Sequence, residues 1–430
     1  MNKDAATTDQ SRGVKTSFRQ IGRNCYAFLA DGFPNTGVII GDRGVMIVDA
    51  MPTSEMAHLV VSAIREVTDK PIKHIVLTHY HAERTLGANA YEAGEIITSD
   101  LTRRMIEERG AADRAAALER STGIFAGSEK EPDMVRPTMS FASSMSVNLG
   151  DQDVRIMHLG RGHTMGDIVV WVANAGVMFA GDLLVRGPAP YCGDAHLTDW
   201  PRALGRIGAF RPETLLPGSG QPIIGFEEVL NVVDENSQFV ETLRDTASAC
   251  VDSGLGLKDT YLAIDDAMAP RYSAFADYER HMPINVARAY DEALGLDLPQ
   301  VWTPERKQDL IDALNGALSI RGQNEQIQQN DVARPKAEEA PLLLNETDIT
   351  SEGPGFPHKS AAVKADEPAI VEETDDALIG GLEAGVVLAP EDDPAVASLS
   401  EYTHDADAPG HAGEIGTIEE ERREHELVNA

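Results

Sequence analysis

Nowhere in this sequence do about 18 uncharged apolar residues run together, the length a membrane-spanning helix needs. The opening run "MNKDAATTDQSRG" has no apolar segment of the kind a secretory signal carries. A soluble, cytoplasmic protein with no membrane partner is the expectation. Only three cysteines occur, Cys25, Cys192 and Cys250, far apart and odd in number. They supply neither a disulfide framework nor a CxxC metal knuckle. No GxGxxG follows the first strand-like run and no P-loop is present, which removes the usual dinucleotide and nucleotide cradles. A Lys/Arg cluster is missing too, and without a basic face nucleic-acid partners are not expected.

What the chain does have is acid, unevenly spread. The formal net charge is −33. An excess of about 20 acidic residues lies beyond residue 321, well over half of the total. Composition changes there as well. Segments such as "VEETDDALIGG" and "APEDDPAVASLSEYTHDADAPGHAGEIG" are rich in Pro, Gly, Glu and Asp and nearly free of aromatics. Such stretches bury too little apolar area to offset the entropy of ordering them. Three regions are therefore expected: a flexible N-terminus over 1–19, a compact α/β domain over 20–321, and a disordered acidic tail over 322–430. A tail of this kind is suited to binding a protein partner.

Within the compact region "NCYAFLA", "TGVIIGD" and "GVMIVDA" read as short strands of an antiparallel meander, separated by Gly and Asp turns. "SEMAHLVVSAIREVTD" has helical apolar spacing behind a Ser N-cap. "IKHIVLTHY" reads as a buried strand, "LGANAYEAG" and "SDLTRRMIEERG" as helices. "DVRIMHLG", "DIVVWVANAG" and "GVMFAGDLLV" give three more strands, "LTDWPRALGRIGAF" a helix, and residues 226–318 are mostly helical. Strands, then helix, strand and helix, twice over, fit a layered α/β sandwich rather than a Rossmann fold.

The chemistry concentrates at strand ends. "LTHYHAERTLG" places His79 and His81 just past a buried strand. Side chains two apart in extended backbone point the same way, so both imidazoles can reach one ion at about 2.0–2.1 Å. "HLGRGHTMGDIVV" sets His163 in a Gly-rich turn before a strand. "VMFAGDLLV" ends a strand at Asp182 and "GVMIVDA" ends one at Asp49. Several strands thus deliver His or Asp at their C-terminal ends, where open α/β sheets build sites. Other candidates have structural readings beside functional ones. Asp194 and His196 in "YCGDAHLTDW" either hydrogen-bond the turn before a helix or ligate a metal. His281 lines a pocket or packs. His74 and His158 fall within strands, and Cys192 reads as a buried inert thiol. Asp49 either bonds a ligand histidine from behind or closes a turn.

The order HxH, then GHT before a strand, then GD after a strand resembles the metallo-β-lactamase-like hydrolase superfamily. "VIIGDRGVMIVDA" looks like its opening strands, "LTHYH" and "GRGHT" like its ligand loops, and "FAGDLL" like its bridging aspartate. The resemblance spans roughly residues 20–225. It implies an αββα sandwich of metallo-β-lactamase type, here with extra C-terminal helices and the acidic tail, and one or two metals, usually zinc.

This chain departs from that pattern in three places. The family's HxHxDH loop reads "HYHAER", with Glu83 and Arg84 at its Asp and second His, and the late turn "LLPGSGQP" has Ser219 where a histidine would stand. By the resemblance the first site keeps His79, His81, His163 and Asp182, while the second loses both histidines. Arg84 cannot deprotonate in a protein, so its charge opposes a second dication, and one ion, zinc or else iron, is the expectation. The function implied is a metal-dependent hydrolase. It would direct a metal-activated hydroxide at an ester, lactone, thioester or amide of a small-molecule substrate. Asp182 or Glu83 would act as base, and Arg84 would stabilise the oxyanion, hold a substrate carboxylate or replace the second metal's charge. Two other readings stay open: a mononuclear iron oxygenase using His79, His163 and Asp182, and a catalytically weakened binding module.

Overall fold

A computed structural model of the chain describes residues 5–8, 14–120, 123–126 and 135–317. The chain divides into two units, Met1–Ala340 and Pro341–Ala430, and every described element belongs to the first. The acidic tail expected over 322–430 lies outside the described residues.

Two sheets face each other. The first has eight strands in chain order: β1 (Ala5–Thr8), β2 (Lys15–Gly22), β3 (Cys25–Ala30), β4 (Thr36–Gly41), β5 (Gly44–Val48), β6 (Ile72–Val76), β7 (Glu95–Ser99) and β8 (Met139–Phe141). β1 to β5 form the antiparallel meander that their Gly and Asp turns predict, and β5 to β8 continue in parallel. The second sheet, in the order β14-β13-β12-β11-β10-β9, is built from β9 (Ser144–Asn148), β10 (Asp153–His158), β11 (Ile168–Val172), β12 (Val177–Gly181), β13 (Thr214–Pro217) and β14 (Ile223–Ile224).

Parallel pairs need crossovers. Between β5 and β6 runs α1 (Ser54–Arg65); between β7 and β8 runs α3 (Asp100–Arg120); between β12 and β13 runs α4 (Trp200–Gly208). α1 shows how one such helix is specified. Thr53 caps it by accepting from Met56 N, one residue before the serine expected to do so. Met56, Ala57, Val60 and Ile64 then form one buried stripe against the first sheet.

The centre of the sandwich is apolar and shared by both sheets. Ile39, Met46, Val48 and Val76 meet Ile156, Val170, Val172 and Phe179 there. On the outer face of the second sheet Trp171 and Met178 pack beneath α4 and three long helices, α5 (Phe226–Asp252), α6 (Leu257–Tyr272) and α7 (Tyr278–Ala293). α8 (Pro304–Ala313) follows. The architecture is the αββα sandwich with added C-terminal helices.

Two expectations need correction. The sheet starts before residue 20, because Lys15–Gly22 pairs with β3 and Ala5–Thr8 pairs with β2. These edge strands carry few apolar residues, so burial patterning did not mark them. "LGANAYEAG" forms a 3₁₀ turn over Leu86–Tyr91 rather than an α-helix, and it stops where Glu92 turns left-handed at φ 51°. Gly87 sits tight against the backbone of Ala50, Met51 and Thr53, where a Cβ would collide.

Candidate metal centre

The strand ends converge on one point. After β6 the chain is held from one side by Leu77 N to Ile97 O (2.9 Å) and from the other by Ile168 N to Thr78 O (3.0 Å), and it bends at Thr78 and His79 instead of staying extended as the sequence suggested. His81 is the last extended residue (φ −60°, ψ 141°) before the short helix α2 (Ala82–Thr85). His163 arrives from the second sheet, in the loop between β10 and β11. That loop is tied by Asp167, whose carboxylate accepts from Thr164 N (2.9 Å) and Thr164 Oγ1 (2.6 Å). The three imidazoles stand edge-on to one another, each pair 4.8 Å apart between centroids with planes at 84–89°. All three are buried.

Their outer hydrogen bonds decide where the lone pairs point. His163 Nδ1 lies 2.9 Å from the Tyr191 carbonyl, which can only accept, so Nδ1 carries the proton and Nε2 the lone pair. His81 Nε2 lies 3.1 Å from Asp194 Oδ2, so its proton sits there and Nδ1 is bare. Thr78 Oγ1 donates to Asp49 Oδ2 (2.9 Å), which leaves it to accept from His79 Nδ1 at 3.0 Å and leaves Nε2 of His79 bare. These tautomers follow from the network. Three lone pairs thus face one another within 4.8 Å in a buried site, with His81 Nδ1 and His163 Nε2 only 3.0 Å apart. Two facing lone pairs with no proton between them repel. A cation among them turns the repulsion into three bonds, so the donor set fits a metal ion.

Two of the imidazoles are also kept neutral. Burial drives His79 well below the ordinary range, and a charge on it would further be opposed by any charge on His81 or His163 and by Arg84. Burial likewise lowers His163 to about 4, against the pull of Asp182. Asp182, at the end of β12, places Oδ2 3.4 Å from His79 Nε2 and 3.8 Å from His163 Nε2. With neutral histidines these are not ion pairs; the carboxylate oxygen stands beside two of the three nitrogens.

Arg84 occupies the other side of Asp182. It is 2% exposed and forks the carboxylate, with Nε to Oδ2 at 3.2 Å and Nη2 to Oδ1. Its remaining contacts are Nη1 to the Asn35 carbonyl (3.3 Å) and Nη2 to Ser219 Oγ (3.4 Å). The two residues that replace the family's histidines therefore touch each other. Burial alone would raise the Asp182 carboxyl, but Arg84 foremost, with His163, holds it below its ordinary value. Arg84 itself is pushed up by Asp182, Asp49 and Glu83, which together outweigh its burial. Glu83 stands half-buried on the same turn. Gly218 is required here, because any Cβ would overlap Asp182 Oδ1. Since its fork is on Asp182, Arg84 does not present that fork to a substrate carboxylate.

The other candidates separate cleanly. Asp194 caps no metal of its own: it receives His81 Nε2 and is gripped by Arg109 Nη2 at 2.8 Å. His196 is buried away from the three-histidine group, with Nδ1 3.5 Å from Asp297. Asp49 acts from behind His79 through Thr78, and burial lifts its carboxyl to about 6. His158 gives Nδ1 to the Asp167 carbonyl and His74 sits half-buried in β6, both structural. Cys192 is fully buried and its thiol is pushed up by that burial. His281 does reach the site's surroundings, edge-on to Tyr191 at 5.4 Å, and Tyr191 in turn lies 6.0 Å from His81. Sequence reasoning missed Tyr191, Thr78, Arg109 and Asp167.

Burial raises the Asp167 carboxyl to about 7 despite its bonds from Thr164. The folded state then holds a proton that the unfolded chain releases above about pH 3.9. The carboxyl's contribution to stability therefore falls as pH rises from about 4 to 7 and is level above that. Relative to Asp167→Asn, the metal-free wild type should lose about 1.4 kcal/mol per pH unit across that window. Denaturant titrations of both at pH 5, 6 and 7 check it; parallel curves would contradict it.

An αββα sandwich whose strand ends gather three histidine lone pairs beside a carboxylate is a scaffold that can hold a metal ion. The model of the metallo-beta-lactamase superfamily matches residues 29–99 of the chain. That is a family of metal-dependent hydrolases. A linear primary-alkylsulfatase of Pseudomonas sp. (strain ATCC 19151) is 22% identical over 321 residues, 65% of this chain and 60% of the sulfatase. A type 2 metallo-beta-lactamase of Bacillus sp. (strain 170) is 22% identical over 217 residues, 48% of this chain and 76% of the lactamase. The solved metallo-beta-lactamase from Pontibacter korlensis aligns with a TM-score of 0.40 at 18% identity, covering 56% of this chain and 99% of its own. The chain spans less than two thirds of the sulfatase's length. Among the described residues no helix is long and apolar enough to cross a membrane.

Proposed function

We propose that the protein is a hydrolase working with a single metal ion, zinc by the nature of its donors, held by His79, His81 and His163. The observation that carries this reading is the pairing of three bare nitrogens with an arginine that already neutralises Asp182. Three imidazoles suit zinc, and an ion with three protein ligands keeps a position open for chemistry. When bound, such an ion supplies Lewis acidity and a water acidified to near neutrality.

The chain's own residues do the rest. Asp182 Oδ2, kept an anion by Arg84, would either join the histidines in holding the ion or orient a water beside it and take its proton. Arg84 serves as a fixed positive charge behind Asp182, where a second ion would otherwise sit. Glu83 is the alternative proton acceptor, on the same turn. Thr78 and the Tyr191 carbonyl keep His79 and His163 in their ligating tautomers. Burial excludes bulk water from the donors, which strengthens each of these interactions. The substrate is a small molecule with an ester, lactone, thioester or amide bond; the likeness to an alkylsulfatase adds sulfate esters. Against an iron oxygenase built from His79, His163 and Asp182, the lone pair of His81 shares the same cluster.

Elemental analysis of full-length protein purified without chelators tests the reading. It should show about one zinc per chain, lost in His163→Ala, together with hydrolysis of an ester or sulfate-ester panel that falls at least 100-fold in the same variant. One iron per chain with no hydrolysis would favour the oxygenase. Two ions would refute the role given to Arg84, and no ion after reconstitution would leave a binding module.

A further inference from the structure

His81 differs from its two partners. His79 and His163 turn Nε2 toward the shared point, while His81 turns Nδ1. A neutral imidazole can carry its proton on either nitrogen, and only the Nε2–H form leaves His81 able to ligate. Something must select that form.

Asp194 Oδ2 lies 3.1 Å from Nε2 of His81 and is itself buried. Asp194 is held rigidly. Its Oδ1 accepts from Arg109 Nη2 at 2.8 Å. Arg109 reaches in from α3, with Nε and Nη2 on Asp113 at 2.6 and 2.8 Å and Nη1 on the Pro299 carbonyl at 2.8 Å. Its guanidinium also lies over the Tyr80 ring, 5.5 Å from the centroid. The turn that carries Asp194 is fixed separately. Trp302 Nε1 donates to the Gly193 carbonyl (2.9 Å), Arg288 Nε to the Ala195 carbonyl (2.8 Å), and Cys192 N to Asn285 Oδ1 (2.7 Å). Asp194 and Asp113 share the one guanidinium of Arg109, which orients the Asp194 carboxylate toward the His81 N–H.

We infer that Asp194, oriented by Arg109, is a positioning residue that selects the Nε2–H tautomer of His81 and so presents its Nδ1 lone pair to the metal. The inference rests on the metal site of the preceding reading. Outer partners of ligating histidines fix ring orientation and tautomer and raise ligand basicity, and losing one typically costs 10–100-fold in metal affinity. The clamp joins α3 and the segment around Pro299 to the metal, two parts of the chain that carry no ligand.

The test uses the full chain and zinc ions alone. Zinc affinity is measured by competition with a chromophoric chelator for wild type, Asp194→Ala, Asp194→Asn, Asp194→Glu and Arg109→Gln. Histidine-ring 15N spectra of the metal-free proteins report the tautomer. Wild-type His81 should be the Nε2–H form. Asp194→Ala should bind one zinc 10–100-fold more weakly and show a mixed tautomer. Arg109→Gln should lose less. Asp194→Glu should recover most of the affinity, since a water-sized cavity beside His81, Asp113, Asp194 and Trp302 has room for the extra methylene. Wild-type uptake of zinc with affinity and tautomer unchanged in Asp194→Ala and Asp194→Asn would overturn the inference alone. A metal-free wild type with His81 protonated at Nδ1 would overturn it without any variant. A wild type that takes up no zinc would overturn the metal site and this inference with it.

Discussion

Arg84→Ala should destabilise the metal-free protein by roughly 3–5 kcal/mol, the usual cost of removing one partner from a buried ion pair. The loss arises from what stays behind. Asp182 is 12% exposed and faces the imidazoles of His79 and His163, which burial keeps neutral and which are therefore no substitute for a cation. Without the guanidinium its burial dominates and the carboxyl rises. The deficit should thus be largest at neutral pH and shrink in acid, as Asp182 takes up a proton. Thermal melts should drop by roughly 5–15 °C for a domain of this size. Zinc should recover more stability in the variant than in wild type, because a bound ion neutralises Asp182 from the opposite side. Arg84→Lys should recover little of it, since a lysine cannot reproduce the fork or reach Asn35 and Ser219 together. An Arg84→Ala protein as stable as wild type at pH 7, without metal, would mean that Asp182 is not held as an anion.

What the sequence revealed about this site depended on how local the signal was. His79 and His81 are legible because they stand two residues apart just past a buried strand, although the chain bends at His79 instead of staying extended. His163 and Asp182 are legible because one stands in a Gly-rich turn before a strand and the other closes a strand behind a glycine. The strands β4, β5, β11 and β12 are almost continuously apolar, as strands buried on both faces must be. The outer contacts were not legible. Asp194 meets His81 across 113 residues of chain. Arg109 sits on "SDLTRRMIEERGAADRAAALER", a helix whose mixed charges read as solvated, and only its i,i+4 partner Asp113 hints that it is held. The group that fixes His163 is a backbone carbonyl, which every residue has, so Tyr191 left no mark of that role. That Arg84 is inside the molecule was also hidden. Charge in the sequence implied opposition to a second metal, but only the structure shows the guanidinium forked on Asp182 and touching Ser219.

That last contact allows the strongest test of the proposed single-ion centre. The combined variant Glu83→Asp, Arg84→His, Ser219→His should bind two metal ions per chain where wild type binds one. The three positions are adjacent in space around Asp182: Glu83 and Arg84 share α2, and Ser219 Oγ lies 3.4 Å from Arg84 Nη2. Removing the guanidinium frees the outer side of Asp182, with its Oδ1, for coordination and deletes the charge that opposes a dication. Two imidazoles and a shorter carboxylate then supply neutral and anionic donors in the vacated volume. The Asp182 carboxylate, left bare in Arg84→Ala, would bridge the two ions, so the variant should also regain stability when zinc is added, beyond what Arg84→Ala regains. Elemental analysis and zinc titration of the folded variant read both effects. A folded variant that still binds a single ion would show that the arginine's charge is not what limits the site, and that the space beside Asp182 is closed to a second ion by its surroundings, beginning with the close approach of Gly218.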